Sequence, residues 1–262
     1  MKRVIKNRIT KIKEQSFLFT ELVKRDFKKK YKSTVLGIGW SLLSPLLTLF
    51  VMKLVFTQLL GRNIPNYTTY LFSGTLVMAF YKEATKGGMN ALMDNSKIIT
   101  KINIPKYLFV LSKNVSSLVN FVLTLIIYFI FCAIDNIKFG FHMFALIYPV
   151  LCLTIMNIGI GMILSAAFVF FRDTRYLYDI FLTLLNYLSA IFYQVNNFSD
   201  SVQRLFLLNP IYCCIKYFRL ITIEGKIPSL NFHLLLGFYA LLFLSIGCCI
   251  YKKKNHEFVY YL

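Results

Sequence analysis

The stretch FKKKYKSTVLGIGWSLLSPLLTLFV, which runs from Phe27 to Val51, changes character within a few residues. Its first six residues include four lysines, and the residues after Lys32 are uncharged through Val51. Dense positive charge directly before a long apolar run is typical of the border between a membrane surface and a membrane-spanning helix. Pro45 lies inside the apolar run and predicts a bend in that helix.

The composition of the whole chain also indicates a membrane protein. Of the 262 residues, 57% are hydrophobic, and the formal net charge at pH 7 is +19. A soluble domain of this length needs more polar surface. Nucleic-acid-binding proteins can be equally basic, but their charge forms a groove on a polar surface. Here the charges lie between apolar runs, so we expect no nucleic-acid partner.

Apolar runs of about 18 residues or more predict membrane-spanning helices. We predict an all-α membrane protein, a single transmembrane domain over 1–262, whose six spans are 34–60, 67–93, 110–134, 143–171, 178–197 and 231–251. The run 200–223 is interrupted by charged residues and by Asn209-Pro210. It predicts an external re-entrant hairpin between the fifth and sixth spans, which is tolerated where protein or water covers the backbone.

The distribution of Lys and Arg predicts the orientation of the spans. Six spans put both termini on one side of the membrane, together with the second–third and fourth–fifth connections. That side carries 21 of the Lys and Arg residues, and the opposite side carries six. By the positive-inside rule, the sequence predicts a multi-pass protein of a cytoplasmic membrane with both termini in the cytoplasm.

The segment 1–32 before the first span predicts an amphipathic helix. Phe19, Val23, Phe27 and Tyr31 recur every four residues, and basic residues occupy the other face. Such a helix lies in the headgroup region and is attracted by anionic membrane lipids. A plain basic anchor that only sets orientation is the alternative interpretation.

The second–third connection, 94–107, predicts a short cytoplasmic helix. Asp94, Asn95 or Ser96 can cap its start, and Pro105 can end it. Its apolar stripe would consist of Ile98, Ile99 and Ile102. A short helix of this kind can insert into a groove of a partner protein. It can equally form an interfacial turn, and the sequence leaves both interpretations open.

The cysteines and histidines do not predict a metal site. Four of the six cysteines form two vicinal pairs, Cys213-Cys214 and Cys248-Cys249, and the three histidines lie far apart. Neither residue type shows the spacing of zinc ligands. We interpret the cysteines as small apolar residues of the helix packing.

The residues RDFKKKYKSTVLGIGWSLLSPLL, 25–47, resemble the opening signature of permease subunits of type-2 ABC exporters for lipid-linked cell-surface polysaccharides. The matching positions are Arg25, Asp26, Tyr31, Lys32, Ser33, Leu36, Gly37, Trp40 and Pro45. The resemblance continues, in the same order, in YLFSGTLVMAFYKEA, NSKIITKINIPKYLFVLS, FFRDTRYLYDIFL and LFLLNPIYCCIKYFR. O-antigen and teichoic-acid exporter permeases are the members it is similar to.

The resemblance implies the permease subunit of an exporter that moves undecaprenyl-lipid-linked polysaccharide of the O-antigen, teichoic-acid, rhamnan or capsule type. It implies a homodimer bound to two copies of a separate ABC ATPase, which binds ATP and Mg. This sequence contains no G-x-x-x-x-G-K-[ST] motif, so we expect a bacterial membrane subunit that is not an enzyme and holds no cofactor. The alternatives are an exporter of drugs or small lipids, a membrane glycosyltransferase, and a structural scaffold or channel.

The resemblance also assigns roles to particular residues. The residues expected to contact the ATPase are Asn95, Ser96, Ile98, Ile99, Lys101, Ile102, Pro105, Lys106, Arg172, Asp173 and Arg175. Those expected at the entrance are Arg25, Asp26, Tyr31, Lys32 and Ser33. The candidates for a channel at the dimer interface, lined by the first and fifth spans, are Gly37, Trp40, Pro45, Lys82, Tyr187, Phe192 and Tyr193. The external turn would be formed by Asn209 and Pro210.

Two kinds of residue among the channel candidates suit this chemistry. Aromatic rings can stack on the C–H faces of sugars, although most aromatic residues of a membrane protein face lipid or pack internally. Lys82 is a charge within a predicted span and could meet the phosphate of a lipid carrier. The alternative is that Lys82 lies near the cytoplasmic end of the span and extends to the interface.

Overall fold

The computed structural model describes residues 15–28, 36–37, 39–59, 65–102 and 104–262, and these ranges contain helices and no strand. The helices are α1 (15–28), α2 (Gly39–Leu59), α3 (Tyr67–Asp94), α4 (Ser96–Ile99), α5 (Tyr107–Ile134), α6 (Ile147–Phe170), α7 (Thr174–Leu188), α8 (Asp200–Phe206), α9 (Pro210–Thr222), α10 (Leu230–Lys254) and α11 (Phe258–Tyr261). Short 3₁₀ helices, Phe141–Leu146 and Val195–Asn197, precede α6 and α8. The all-helical prediction is confirmed for the described residues.

The long helices run alternately in opposite directions. At one end of the bundle, Thr69 near the start of α3 donates to Asp135 after the end of α5, at 2.5 Å. At the other end, Lys113 near the start of α5 pairs with Asp94 at the end of α3, at 3.5 Å. We call the end with Thr69 and Asp135 the far end. We call the end with Lys113 and Asp94 the basic end, because it also carries the lysines at the end of α10.

α6 and α10 form an antiparallel pair packed through glycines. Tyr251 and Ser165 hydrogen-bond near the basic end, and Tyr148 donates to the His233 carbonyl near the far end. A Cβ on Gly159 would lie 2.4 Å from the backbone of Phe243 in α10. The two backbones therefore approach too closely for any larger residue, as in other membrane helix pairs with small interface residues.

Three helical segments in the described ranges are long and apolar enough to cross a membrane: Tyr107–Ile134, Phe141–Phe170 and Leu230–Lys254. The pair Asp200–Phe206 and Pro210–Thr222 counts as a fourth only if the two helices, bent by 104°, are taken as one span. The remaining predicted spans correspond to α2, α3 and α7. By length and composition, the helices of the described residues are those of a multi-pass protein.

The structure differs from the sequence in where two predicted elements end. The predicted fifth span, 178–197, forms α7, which ends at Leu188, and Ala190 then takes the left-handed conformation with φ 51°. The predicted coupling helix, 94–107, overlaps the end of α3 and the start of α5, and among the described residues between them only Ser96–Ile99 are α-helical. Turns follow α4, so the connection is more irregular than its lysine and isoleucine pattern suggests.

Candidate functional site

The connection between α3 and α5, residues 95–106, divides into an inward and an outward surface. Asn95 is 2% exposed, Lys106 is buried, and Ile99 packs in a cluster with Leu22 of α1. The exposed side chains are Lys97, Thr100, Lys101 and Ile102, and Ser96, Ile98 and Pro105 are half-buried. Of the predicted ATPase contacts here, the structure leaves Lys101 and Ile102 most accessible to a partner.

Asn95 belongs to a charged cluster beneath this connection. Its side-chain oxygen accepts from Arg25 of α1 at 2.8 Å, and its amide donates to the Ala91 carbonyl at 2.7 Å. Arg25 also donates to Asp26 at 2.9 Å. The Asp26 side chain is 3% exposed and lies 3.4 Å from the ammonium of Lys113. The buried carboxylate thus has two cationic neighbours, as burial of a charge requires.

Lys106 is tied to the other terminus of the chain. Its ammonium donates to the backbone carbonyl of Asn255 at 2.5 Å and to the Asn255 side chain at 3.2 Å. Burial lowers the pKa of Lys106 from its ordinary value, because the charged form loses solvation. Lys106 was predicted to contact the ATPase, but its charged group is directed to α10 and its C-terminal turn.

The residues that open α7 lie beside this region. Arg172 donates to the sulfur of Met93, near the end of α3, at 3.2 Å, and its guanidinium lies 5.9 Å from the ring centroid of Phe168. Asp173 and Arg175 are exposed. The structure therefore brings the two separate stretches predicted to contact the ATPase to the same end of the bundle.

α1 packs on the protein through one face. Leu22 and Asp26 are its buried residues, and Leu22 contacts the cluster that contains Ala91 and Leu92 of α3. Tyr31, Lys32 and Ser33 of the predicted entrance lie outside the described residues. The buried face of α1 therefore contains Leu22 and Asp26, and it contacts α3 and α5. These two residues come one position before Val23 and Phe27 of the predicted apolar stripe.

A groove lined by both apolar and polar side chains lies between α2, α3 and α5. Its volume is about 470 Å³. Its lining residues are Trp40, Ser41, Ser44, Pro45, Thr48, Phe72, Thr75, Leu76, Ala79, Phe80, Glu83, Ser117, Asn120, Phe121 and Thr124. The Asn120 amide donates to the Glu83 carboxylate at 2.7 Å. Ser41, Ser44 and Thr48 of α2 face this groove, while Leu47, Phe50 and Leu54 are exposed on the outside.

The predicted channel residues of α2 belong to this groove. Trp40, which is 42% exposed, and Pro45, which lies inside α2, both line the groove. Gly37, with φ 51°, forms the turn that leads into α2. Trp40 and Pro45 therefore lie toward α3 and α5, and Leu47, Phe50 and Leu54 of α2 lie on its outer side.

Lys82 contacts α7 across the α3–α7 boundary. Its ammonium donates to Asn186 at 3.2 Å. One turn away, Lys86 pairs with Asp179 at 2.6 Å, and between them Tyr178 donates to Thr85 at 2.6 Å. These contacts hold α7 against α3 by polar groups. Lys82 is therefore half-buried between two helices of the same chain.

The three aromatic channel candidates at the end of α7 differ in exposure. Tyr187 is 62% exposed, whereas Phe192 is only 8% exposed and its carbonyl accepts from Tyr67 at 3.1 Å. Tyr193 is half-buried and donates to the Tyr187 carbonyl. Tyr187 belongs to an exposed apolar face of α7 that also includes Leu177, Ile180, Phe181 and Leu184.

Sequence reasoning missed Arg219, which fixes the far end. Its guanidinium donates to the carbonyls of Ala190 at 2.9 Å, Ile191 at 3.0 Å and Tyr70 at 3.3 Å. It donates also to the hydroxyl of Ser73 at 3.2 Å and lies 3.5 Å from the Tyr70 ring centroid. The signal in the sequence is the single arginine in the mainly apolar run CCIKYFRLIT, because a charged residue within such a run needs buried hydrogen-bond partners.

Asn209 and Pro210 form the predicted turn at the far end. The Asn209 side-chain oxygen accepts from the backbone N–H groups of Ile211 and Tyr212, and Pro210 occupies the start of α9. The amide of the same side chain donates to the Leu188 carbonyl and the Ser189 hydroxyl, both at 3.1 Å. Asn209 therefore caps the start of α9 and binds the end of α7 with one side chain.

Apolar helices that alternate in direction and an irregular basic connection at one end indicate a multi-pass membrane protein. The chain belongs to the ABC-2 type transporter family, which matches residues 18–223. The resemblance stated from the sequence is thereby confirmed. Members of this family are permease subunits, so the chain is a transporter subunit whose ATPase is a separate chain.

Curated relatives match over nearly the whole chain. An O-antigen export system permease protein of Myxococcus xanthus is 27% identical over 245 residues, which are 92% of this chain and 94% of the relative. Two O-antigen export system permease proteins of Klebsiella pneumoniae are 24% and 23% identical, each over 92% of this chain and 93% of the relative. The matched stretch is longer than the family region 18–223.

Proposed function

We propose that this chain is the permease subunit of an ATP-driven exporter that moves undecaprenyl-lipid-linked polysaccharide across the bacterial cytoplasmic membrane. The observation that carries the proposal is the match over 92% of the chain to permeases named for O-antigen export. O-antigen-type glycan is therefore the first candidate. Teichoic acid, rhamnan and capsule polymers are glycans of the same lipid-linked class.

The proposed topology has six spans: α2, α3, α5, the segment Phe141–Phe170, α7 with the chain that follows it, and α10. The alternating directions of α3, α5, α6 and α10 support it. The excess of Lys and Arg at the basic end supports a cytoplasmic position for that end and for both termini. In this orientation α8 and α9 form a re-entrant hairpin at the external surface.

The proposed homodimer uses the faces of α2 and α7 that one protomer leaves exposed. On α7 these are large apolar residues, among them Phe181 and Tyr187, and on α2 they include Phe50. A polysaccharide path between two copies would present aromatic rings on which sugars can slide. The same faces contact lipid in a monomer, so the dimer is part of the proposal.

The ATPase partner, in two copies, would bind ATP and Mg and act on the basic end. Lys97, Lys101 and Ile102 are exposed there, together with Arg175. We propose that hydrolysis moves the connection 95–106 and that this motion opens the seam between the two copies of α2 and α7. The apolar Ile102 and the basic side chains suit an ATPase groove with an apolar floor and acidic rim.

Reconstitution tests the proposed function. The chain and its partner ABC ATPase are placed in vesicles loaded with undecaprenyl-linked glycan, and transfer of the glycan across the membrane is measured with Mg-ATP. We expect transfer with both subunits and none when the ATPase is omitted. Transfer without the ATPase, or hydrolysis stimulated by small drugs and not by glycan, would contradict the proposal. Mass analysis of the lipid-linked material that accumulates on depletion identifies the glycan.

A further inference from the structure

The connection 95–106 is hydrogen-bonded to segments near both termini of the chain. At its start, Asn95 accepts a hydrogen bond from Arg25 of α1. At its end, Lys106 donates to Asn255 beyond α10. Residues 25 and 95 are 70 positions apart, and residues 106 and 255 are 149 apart. These long-range contacts join the segment that faces the ATPase to two helices that are not adjacent in sequence.

The first contact, between Arg25 and Asn95, depends on a buried carboxylate. Asp26 has a 3% exposed side chain and contacts Arg25, Lys113 and the hydroxyl of Ser112, the last at 3.2 Å. Lys113 in turn lies 3.5 Å from Asp94, the residue before Asn95. Asp26 therefore orients Arg25 toward Asn95 and, through Lys113, also supports the end of α3.

The second contact, between Lys106 and Asn255, depends on aromatic packing. Phe258 of α11 is fully buried, with its ring 5.8 Å from that of Phe170 and 5.2 Å from that of Tyr251. The turn that presents the Asn255 carbonyl to Lys106 lies directly before α11. Burial of Phe258 against α6 and α10 thus holds that carbonyl at a fixed position.

We propose that Asp26, Arg25 and Asn95 form a latch that makes α1 move together with the coupling connection, so that ATPase motion reaches α1 directly. The proposal rests on the proposed function for the identity of the driving subunit. These three residues are positioning residues: Asn95 lies inward and transmits motion, while Lys97, Lys101 and Ile102 meet the partner. A helix that only anchored the chain to lipid would need no buried carboxylate against α5.

The alternative behaviour of α1 is a passive one. Arg25 and the lysines of α1 could simply bind anionic lipid, and then loss of Asp26 would leave the response of α1 to nucleotide unchanged. The chain offers a matched control on the same helix. Glu21 pairs with Lys24 of the same helix at 3.0 Å, and both side chains are about half exposed, whereas the Asp26 side chain is 3% exposed.

The test places a fluorescent probe on α1 of the full permease–ATPase complex. Thr20→Cys, at an exposed position, is labelled after Cys248→Ser and Cys249→Ser remove the two exposed cysteines. The change in probe fluorescence on adding Mg-ATP is compared among the otherwise native chain, Asp26→Asn and Glu21→Gln. This measurement requires no glycan, so it is independent of the proposed substrate.

We expect a nucleotide-dependent change in the native chain and in Glu21→Gln, reduced at least about fivefold in Asp26→Asn, which is the scale of ordinary coupling between sites. Arg25→Gln, at a half-exposed position, should give the same loss and covers the case in which Asp26→Asn does not fold. Equal responses in all variants, or no response in the native chain, would overturn the latch. Failure of glycan transfer with an intact latch response would instead overturn the proposed function.

Discussion

The two ends of the bundle are held together by different chemistry. At the basic end, ionic side chains join α1, α3 and α5 around Asp26, and Lys113 lies within 3.5 Å of two carboxylates. At the far end, the uncharged carbonyls of Ala190 and Ile191 bind a single buried guanidinium, that of Arg219. The Asp26 carboxylate is itself buried, but its cationic partners keep part of their surface in contact with solvent, with 41% of the Arg25 side chain and 17% of the Lys113 side chain exposed, whereas Arg219 is only 8% exposed.

This difference suits a transporter in which one end receives motion and the other keeps its shape. A latch of charged side chains can shift with a partner and remain paired. The far end, by contrast, orders an irregular segment after α7 by three separate means: Arg219, the hydroxyls of Tyr67 and Tyr70, and the capping side chain of Asn209. Changes at the far end should therefore lower stability, and changes in the basic latch should lower coupling.

The largest expected effect follows removal of the Arg219 guanidinium. Arg219→Met leaves four acceptors without their donor, and at about 0.6 to 1 kcal/mol each this amounts to about 2 to 4 kcal/mol. Arg219→Lys keeps the charge but not the planar fork, so it should lose less. Thermal unfolding in detergent should rank the native chain above Arg219→Lys and both above Arg219→Met. Equal melting temperatures for all three would show that the far end does not depend on this residue.

The next effect concerns the close contact of α6 with α10. Gly159→Ala places a Cβ 2.4 Å from the Phe243 backbone, so the helices must separate, at a cost of about 1 to 3 kcal/mol. Gly87→Ala is the matched control, because its Cβ would meet the Lys113 side chain at an ordinary 3.4 Å. We expect the melting temperature to fall for the first and to stay or rise slightly for the second. A fall of the same size in both would contradict the packing argument.

The sequence allowed much of this organisation to be predicted. Hydropathy and charge indicated a multi-pass helical protein with a basic end, and Asn-Pro at 209–210 predicted the turn that starts α9. The end of α7 could not be predicted, because Leu188 is followed by carbonyls that bind Arg219, about thirty residues later in the chain. Likewise, burial of Asp26 depends on Lys113 and Ser112 of a distant helix, and no local pattern in α1 contains that information.

A smaller effect is expected from Asn209→Ala. It removes the side-chain acceptor that caps α9 and the donor to the Leu188 carbonyl, and a lost cap of this kind costs about 1 kcal/mol. The exposed Asn197, on the preceding 3₁₀ helix, supplies the control Asn197→Ala. The melting temperature should fall for Asn209→Ala alone. If both variants melt together with the native chain, the link between α7 and α9 must be carried by other contacts.

The smallest effect is expected from the exposed pair on α1. Glu21 and Lys24 are i,i+3 neighbours whose side chains are 49% and 59% exposed, so their pairing is screened by water and salt. Glu21→Gln should leave unfolding and nucleotide-driven responses at the native level, in low salt and in about 0.15 M salt alike. Asp26→Asn, five positions further along the same helix, should reduce the response of α1 to nucleotide under both conditions. If Glu21→Gln were as damaging as Asp26→Asn, the total charge of α1 would matter more than its buried carboxylate, and the distinction drawn between an ionic latch and a surface anchor would fail.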